Sequence, residues 1–177
     1  TAGLFAKRMG LPVKRFIAAN NSNDIFLQYL ITGVYMPRPS VATLANAMDV
    51  GDPSNFVRVL DLYGQSIDAI RADISGARYS DDRIRSILAD TLKRTGYLLD
   101  PHGACGYQAL KEGLQAGETG VFLETAHPAK FKDTVEPIIG QPVAVPQRLV
   151  EFMKGQKLSV GLPSDFDTFK RFLSDRQ

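Results

Sequence analysis

Three short apolar segments of this chain each end in a cluster of polar or small residues, and this arrangement restricts the fold more than any other sequence feature. The segments are residues 13–19, 97–99 and 120–124, and the clusters that follow them are residues 20–24, 100–104 and 125–128. The composition of the three segments is typical of strands. Helical patterns with short loops alternate with the second and third segments. This alternation predicts an α/β fold with parallel strands, whose carboxyl ends share one edge. We therefore predict that the clusters meet at a ligand-binding edge.

The helices are predicted from capping residues, apolar spacing and glycine stops. Ser80 is followed by two aspartates and by apolar residues at helical spacing until Gly96, which predicts one long helix. Residues 25–94 contain no convincing strand and are predicted to form a helical insertion. Because the chain opens inside a helix, we expect it to be a segment of a longer protein. Further helices are predicted over residues 1–9, 104–114, 130–139 and 165–174, the last capped by Ser164.

The composition excludes several classes of protein. Apolar residues make up 44% of the chain and charged residues 23%, which is ordinary for a globular domain and argues against disorder. The net charge of +2 gives no reason to expect nucleic acid or a membrane as a partner. A single cysteine rules out an internal disulfide and fits a reducing compartment, so we predict a cytoplasmic location. No apolar run reaches the roughly 18 residues that span a bilayer.

The residues best suited to a soft metal ion are His102, His127 and Cys105, which lie near predicted strand ends. Their spacing matches no standard zinc pattern and no fourth ligand is obvious, so we predict no metal site. The sequence also lacks a nucleophile elbow, a P-loop and a dinucleotide-binding glycine motif. Thr125 closes a predicted strand, and two interpretations of its hydroxyl stay open. It either bonds nearby backbone or contacts a ligand.

Six blocks of the sequence carry a resemblance, and they are residues 2–7, 13–20, 43–56, 100–104, 125–131 and 162–166. Together they resemble the threonine synthase family, in its bacterial and fungal branch. They occur in the order of the family and cover nearly the whole chain. Any one block alone is a weak signal, but the ordered set is specific. The resemblance begins partway along such a protein, which agrees with a chain that opens inside a helix.

The resemblance implies a lyase of threonine biosynthesis that uses pyridoxal 5′-phosphate (PLP). Enzymes of this family convert O-phospho-L-homoserine and water into L-threonine and phosphate. They have the type II fold of PLP enzymes, which is similar to the β subunit of tryptophan synthase. Residues 1–140 are then predicted to be the C-terminal part of the PLP-binding large domain, with the helical insertion at about 25–94. Residues 141–177 are predicted to be a helical C-terminal extension.

The resemblance also implies roles for individual residues. Thr125 matches the family threonine whose hydroxyl meets the pyridine nitrogen of PLP; unlike a carboxylate, a hydroxyl does not force that nitrogen to be protonated. Gly103 and Ala104 match a turn that faces the cofactor. No lysine here matches the one that forms the Schiff base, so that lysine is expected upstream of Thr1. The chain then holds no catalytic residue and is inactive alone. The substrate-cleft candidates are Asn20, Asn46, Asp49 and His127.

Two alternative functions stay open. The first is another type II PLP lyase, such as a dehydratase or a threonine-synthase-like phospholyase, since the substrate phosphate site would lie mostly upstream. The second is a non-catalytic α/β binding module that stands alone. An upstream segment that carries the cofactor lysine would exclude the second alternative.

Overall fold

Two parallel strands pair in the first part of the protein, whose computed structural model describes residues 1–175. β1 spans Phe16–Asn20 and β2 spans Ile74–Arg78. The predicted α/β fold with a parallel sheet is confirmed. The prediction that residues 25–94 contain no strand is wrong, because β2 lies within them. β1 also begins three residues later than predicted.

Gly76 explains why β2 is hard to predict from the sequence. Glycine weakens strands and usually marks a turn or a bulge, so it favours a loop prediction. In the structure Gly76 pairs with Ala18, and a Cβ at Gly76 would come within 2.8 Å of Leu27 Cδ1. The missing side chain therefore lets α2, Ile25–Thr32, pack directly on β2.

About half of the chain is helical, and the predicted helices are present with shifted ends. The helix predicted from residue 104 begins three residues earlier, and the one predicted over 130–139 is a 3-10 turn followed by a helix. Two 3-10 turns cover Asn46–Met48 and Pro128–Phe131. The remaining helices are α1 Ala2–Arg8, α3 Phe56–Leu62, α4 Ile67–Asp73, α5 Asp81–Thr95, α6 Pro101–Gly113, α7 Lys132–Ile139, α8 Gln147–Met153 and α9 Phe166–Ser174.

The side chains of β1 alternate between two apolar clusters. Ile17 and Ala19 pack against a cluster that α5 and α6 supply, in which Leu88 is fully buried. Phe16 and Ala18 pack against another cluster, to which α1, α2, α3 and α4 contribute. β1 is therefore covered on both faces, as the strands of parallel sheets usually are.

The two later strands are not formed, so their prediction is wrong. Among the described residues neither 97–99 nor 120–124 has a ladder partner, and the sheet there contains only β1 and β2. The second segment still alternates as a strand does. Phe122 and Glu124 are partly buried, whereas Val121 and Leu123 are 83% and 76% exposed. This alternation is in the burial of the side chains and not in the sequence, where three apolar residues follow one another, and a ladder also needs a neighbouring strand.

The helix starts follow the capping rules, with one correction. The Ser80 hydroxyl caps α5 by accepting the Arg83 N–H, as predicted. α9 is capped by Asp165, whose carboxylate accepts the Thr168 N–H at 2.8 Å. The predicted cap at Ser164 is therefore wrong by one residue. Both residue types are good caps, so composition alone does not choose between them.

The described chain divides into two compact units. One covers Thr1–Ala144 and contains both strands; the other covers Val145–Gln177 and contains α8 and α9. The domain boundary after residue 140 stays a prediction, and residues 176 and 177 of the predicted extension lie outside the described residues. No helix in the described part is both long and apolar enough to cross a membrane.

Candidate functional site

The first turn of α6 begins at a buried aspartate. Asp100 has no exposed surface, and its Oδ1 caps the helix by accepting the N–H of His102 at 2.8 Å. Pro101 takes the first helical position, where no N–H is needed. The same Oδ1 lies 2.6 Å from Nδ1 of His102. The cap and the histidine thus hold a carboxylate in the protein interior.

His102 joins this turn to a second loop. Its Nε2 accepts the N–H of Ala47 at 3.0 Å. Because that nitrogen is an acceptor, the ring proton lies on Nδ1 and is donated to Asp100. The His102 side chain is 8% exposed and packs against Phe131, with ring centroids 4.9 Å apart. His102 therefore fixes the 3-10 turn Asn46–Met48 to the start of α6.

Asp49 anchors the other end of this loop. Its carboxylate accepts hydrogen bonds of 2.7–3.0 Å from the side chains of Asn21, Asn23 and Thr43 and from the Thr43 N–H. Asn21 is fully buried and also donates to the Ala45 carbonyl. The Asp49 carboxylate thus forms its hydrogen bonds within the loop. We therefore assign Asp49 a positioning contribution, and not that of a free carboxylate.

Glu124 reaches the α6 turn from the segment that carries Thr125. Its Oε1 accepts the Asp100 N–H at 2.9 Å. The Glu124 carboxyl lies over Gly103, where a Cβ would overlap it. This side chain therefore fills the space beside Gly103 that the sequence interpretation gives to a cofactor ring. The sequence analysis missed Glu124, because no local pattern marks a glutamate for burial. The Asp-Pro pair at residues 100 and 101 is the helix-start signal that would have found Asp100.

The two carboxyl groups have opposite pKa shifts. Burial opposes the ionised form of Asp100, but hydrogen bonds from His102 and Glu124 outweigh burial and lower the pKa of Asp100. Burial raises the pKa of Glu124 to about 7, and a hydrogen bond and the negative charge at Asp100 add to this rise. One turn further along α6, burial raises the pKa of Cys105 to about 12, with Asp100 contributing next. The thiol is therefore neutral at physiological pH.

The candidates taken as cofactor-binding lie around this turn. Gly103 and Ala104 are buried in the first turn of α6. Thr125 directly follows Glu124 and is exposed. Within the part of the chain that the structure describes, the Thr125 hydroxyl forms no hydrogen bond. The interpretation in which Thr125 merely bonds nearby backbone therefore has no support here.

The substrate-cleft candidates are less uniform. Asn46 is exposed in the turn that His102 holds. His127 is exposed and caps its 3-10 turn by accepting the Ala129 N–H on Nδ1 at 3.1 Å. Asn20 is used by the sheet, since its Nδ2 donates to the carbonyls of Ala18 and Ala77, at 3.0 Å each. The structure thus brings Asn46 to the α6 turn and leaves Asn20 at the end of β1.

The zinc ligands considered from the sequence have other contacts. Both ring nitrogens of His102 are hydrogen-bonded, and the Cys105 thiol donates to the Pro101 carbonyl at 3.5 Å. Among residues 1–175, no group of three or more histidine, cysteine, aspartate or glutamate side chains is arranged to hold a metal ion.

A cavity of about 330 Å³ lies beside β1. Thr1, at the start of α1, contributes a buried Oγ1 that has no partner among the described residues. Neither Thr125 nor the first turn of α6 lines this cavity, so it is separate from the turn described above. Its apolar lining includes Leu4, Phe16, Ile17, Phe26 and Phe56, and its polar lining includes Asn20 and Asn55.

Another buried aspartate, Asp24, precedes α2 and is only 1% exposed. Its carboxylate pairs with Arg38 and with Arg78 and accepts a hydrogen bond from Gln28 at 3.0 Å. Burial opposes ionisation, but these hydrogen bonds and positive charges outweigh burial and lower the pKa of Asp24. Unlike Asp100, Asp24 makes no capping hydrogen bond with its side chain.

Comparisons with known proteins agree on one family. A family model described as "Threonine synthase, C-terminal" matches residues 103–173. Threonine synthase of Serratia marcescens is 44% identical over 98% of this chain, and that of Escherichia coli is 43% identical over all of it. The chain covers 40% and 41% of these two proteins, so it spans about two fifths of the length of the curated relatives it matches.

Solved structures give the same result. The crystal structure of threonine synthase from Escherichia coli matches with a TM-score of 0.83 at 43% identity, over 99% of this chain and 41% of that one. The structure of PLP-bound threonine synthase from Brucella melitensis also matches with a TM-score of 0.83, at 30% identity, over 98% of this chain and 43% of that one. Neither alternative function is favoured by these similarities. Over nearly its whole length the chain is therefore similar to one part of the threonine synthases.

Proposed function

We propose that this chain is part of a cytoplasmic threonine synthase that uses PLP to convert O-phospho-L-homoserine and water into L-threonine and phosphate. The observation that carries the proposal is the 43–44% identity to threonine synthases over nearly the whole chain. The Brucella melitensis relative was solved with PLP bound, which supports the cofactor. When bound, PLP supplies an electron sink for negative charge that develops on the substrate.

Thr125 is the residue of this chain best placed to hold the cofactor. Its hydroxyl is exposed and has no partner in the described part of the chain, so it is free to bond the pyridine nitrogen. A hydroxyl orients the ring without forcing a proton onto that nitrogen, which leaves a moderate electron sink. The neighbouring Glu124 carboxyl bonds the α6 turn, so two adjacent residues have separate tasks.

The loop at Asn46 and the α6 turn together form one wall of the proposed cleft. Asn46 and His127 are exposed, and we assign them to the substrate side of this wall. Gly103 and Ala104 are buried and keep the wall close-packed. Asp49 acts by holding the loop through its hydrogen bonds. Preorganised walls of this kind let binding energy position the reacting groups.

The remaining half of the site is proposed to come from the longer protein. The lysine that binds the cofactor is expected there, and Val121 and Leu123 support a covering partner. Both side chains are more than three-quarters exposed on an extended segment beside which residues 1–175 form no strand. Exposed apolar rows usually mark a surface that another part of a protein covers.

An activity assay on the full-length protein tests the function. We expect equimolar threonine and phosphate from O-phospho-L-homoserine when PLP is supplied. We expect no phosphate release above buffer from the chain of residues 1–177 alone, because covalent attachment of the cofactor requires a lysine amine that we predict to lie upstream of Thr1. Turnover by the isolated chain, or a full-length protein that forms a keto acid instead of threonine, would contradict the proposal.

Replacing Thr125 by valine in the full-length protein tests the cofactor assignment. The side chains have similar volume, so we expect the thermal midpoint to change little and turnover per PLP-loaded site to fall by more than tenfold. Thr125→Ser is the matched control, because it keeps the hydroxyl and should retain most activity. A valine variant with full turnover and a lower midpoint would show that the hydroxyl is structural.

A further inference from the structure

We propose that Glu124 is held as a neutral carboxylic acid that donates its proton to the Asp100 carboxylate, and that this shared proton fastens the segment bearing Thr125 to the first turn of α6. Glu124 then acts as a positioning residue. The inference concerns residues of this chain alone, and only its consequence for the cofactor rests on the proposed function.

The hydrogen-bond pattern leaves one place for such a proton. Asp100 Oδ1 is occupied by the N–H and Nδ1–H of His102, and Glu124 Oε1 by the Asp100 N–H. The other two oxygens, Asp100 Oδ2 and Glu124 Oε2, are buried and have no donor among the described residues. Two buried carboxylate oxygens without donors would be costly. Because the two carboxyl groups lie within hydrogen-bond reach of each other, one proton shared between them gives both a partner.

The proton belongs on Glu124 rather than on Asp100. The tautomer of His102 is fixed by the Ala47 N–H, so the histidine always offers a donor to Asp100. Asp100 is also the cap of α6, where backbone N–H groups and the helix dipole favour a negative charge. Glu124 receives only one N–H and lies against Gly103, which offers it no cation.

The other titratable groups near Asp100 and Glu124 do not compensate the second negative charge that an ionised Glu124 would add. On α6 they are His102, whose two ring nitrogens bond Ala47 and Asp100, and the Cys105 thiol, which burial keeps protonated. Asp81, at the start of α5, raises the pKa of Cys105 through its negative charge, after burial and Asp100, so α5 adds negative charge here. From the turn Pro128–Phe131, Phe131 contacts the His102 ring. Within residues 1–175, neither His127 nor any lysine or arginine forms an ion pair with either carboxyl.

This arrangement makes the contact pH-dependent with a defined sign. The pKa of Glu124 is raised from 4.5 to about 7, so its contribution to stability is complete below pH 4.5 and is lost as pH rises through about 7. The pKa of Asp100 is lowered, so its contribution is present above 3.8 and is lost as pH falls through the folded value. The shared proton is therefore retained in mildly acidic solution and lost above neutrality.

Isotope-edited infrared spectroscopy of the full-length, PLP-loaded protein tests the protonation directly. With ¹³C-labelled glutamate carboxyls, we expect the band of a protonated carboxylic acid at pH 6, which disappears with a midpoint near pH 7. The band should be absent from Glu124→Gln. It should persist in the control Glu118→Gln, because Glu118 is ionised beside Arg15 and Lys14. Absence of the band from the unmodified protein at pH 6, or its survival in Glu124→Gln, would overturn the proposal.

Amide hydrogen exchange tests the fastening, and it needs no activity. After correction for the intrinsic pH dependence, exchange in residues 120–127 should increase at least threefold between pH 6 and pH 8.5 in the unmodified protein. In Glu124→Gln, whose amide keeps both a donor and an acceptor, the increase should vanish. Equal pH dependence in both proteins would overturn the fastening. A protein that shows the band but binds no PLP would contradict the proposed function and support the acid pair.

Discussion

Two buried aspartates in this molecule are stabilised in opposite ways. Asp24 is compensated by positive charge, from Arg38 and Arg78, whose side chains are 49% and 52% exposed. Asp100 is compensated by neutral donors: a histidine with one proton, a backbone N–H and the Glu124 acid that we propose. The first arrangement can exchange its partners for water, whereas the second is enclosed. Burial of a carboxylate alone therefore does not predict how strongly its removal destabilises the protein.

The largest expected effect is that of Asp100→Ala. The change removes the cap of α6 and leaves the His102 Nδ1–H and the Glu124 carboxyl without their partner. Loss of an N-cap costs about 0.5–2 kcal/mol, and each buried polar group left without its partner costs about 1–3 kcal/mol, so we expect a loss of about 3–5 kcal/mol. Urea denaturation of the full-length protein measures it. A decrease of less than about 1 kcal/mol in the free energy of unfolding would contradict the interpretation that the Asp100 site is enclosed.

Gly103→Ala should have the next largest effect, because its Cβ would overlap the Glu124 carboxyl. Overpacking of a buried site costs about 1–3 kcal/mol. The double variant Gly103→Ala with Glu124→Gly removes the overlap, so its destabilisation should be smaller than the sum of the two single changes. Additive effects in this double-mutant cycle would show that the two residues do not contact each other.

Asp24→Ala should have the smallest effect, about 1–2 kcal/mol near neutral pH, because both arginines can turn to water. Since the pKa of Asp24 is lowered from 3.8, the difference from the unmodified protein should shrink as pH falls through the folded pKa. Thermal midpoints at several pH values and salt concentrations measure this. A loss as large as that of Asp100→Ala would remove the contrast between the two sites.

Features encoded by a few neighbouring residues could be predicted from the sequence. The Ser80 cap and the Gly96 stop of α5 are local signals, and both are present in the structure. β2 was missed because its identity depends on a distant partner and on the close packing of Leu27 over Gly76. The segment 120–124 has the apolar run of a strand and alternating burial, but no neighbouring strand pairs with it among the described residues.

The candidate site likewise contains residues that the sequence indicated and one residue that only the folded structure shows. The resemblance indicated Gly103, in the first turn of α6, and Thr125, whereas the partly buried side chain that joins these two segments is that of Glu124. Glutamate is among the residues least often buried, so composition argues against it. Only the hydrogen bond that Glu124 accepts from the Asp100 N–H in the folded chain indicates its positioning contribution.

During synthesis of the chain, β1 is made well before β2, the strand with which it pairs. Each residue of β1 pairs with a residue 58 positions further along. At a translation rate of about 5–20 residues per second, β1 waits for its partner for about 3–12 s. During that interval the apolar side chain of Ile17 lacks α5 and α6, which follow β2 in the chain and later cover it. A chaperone that binds short apolar stretches would have its best opportunity at this segment, before the ribosome has completed β2.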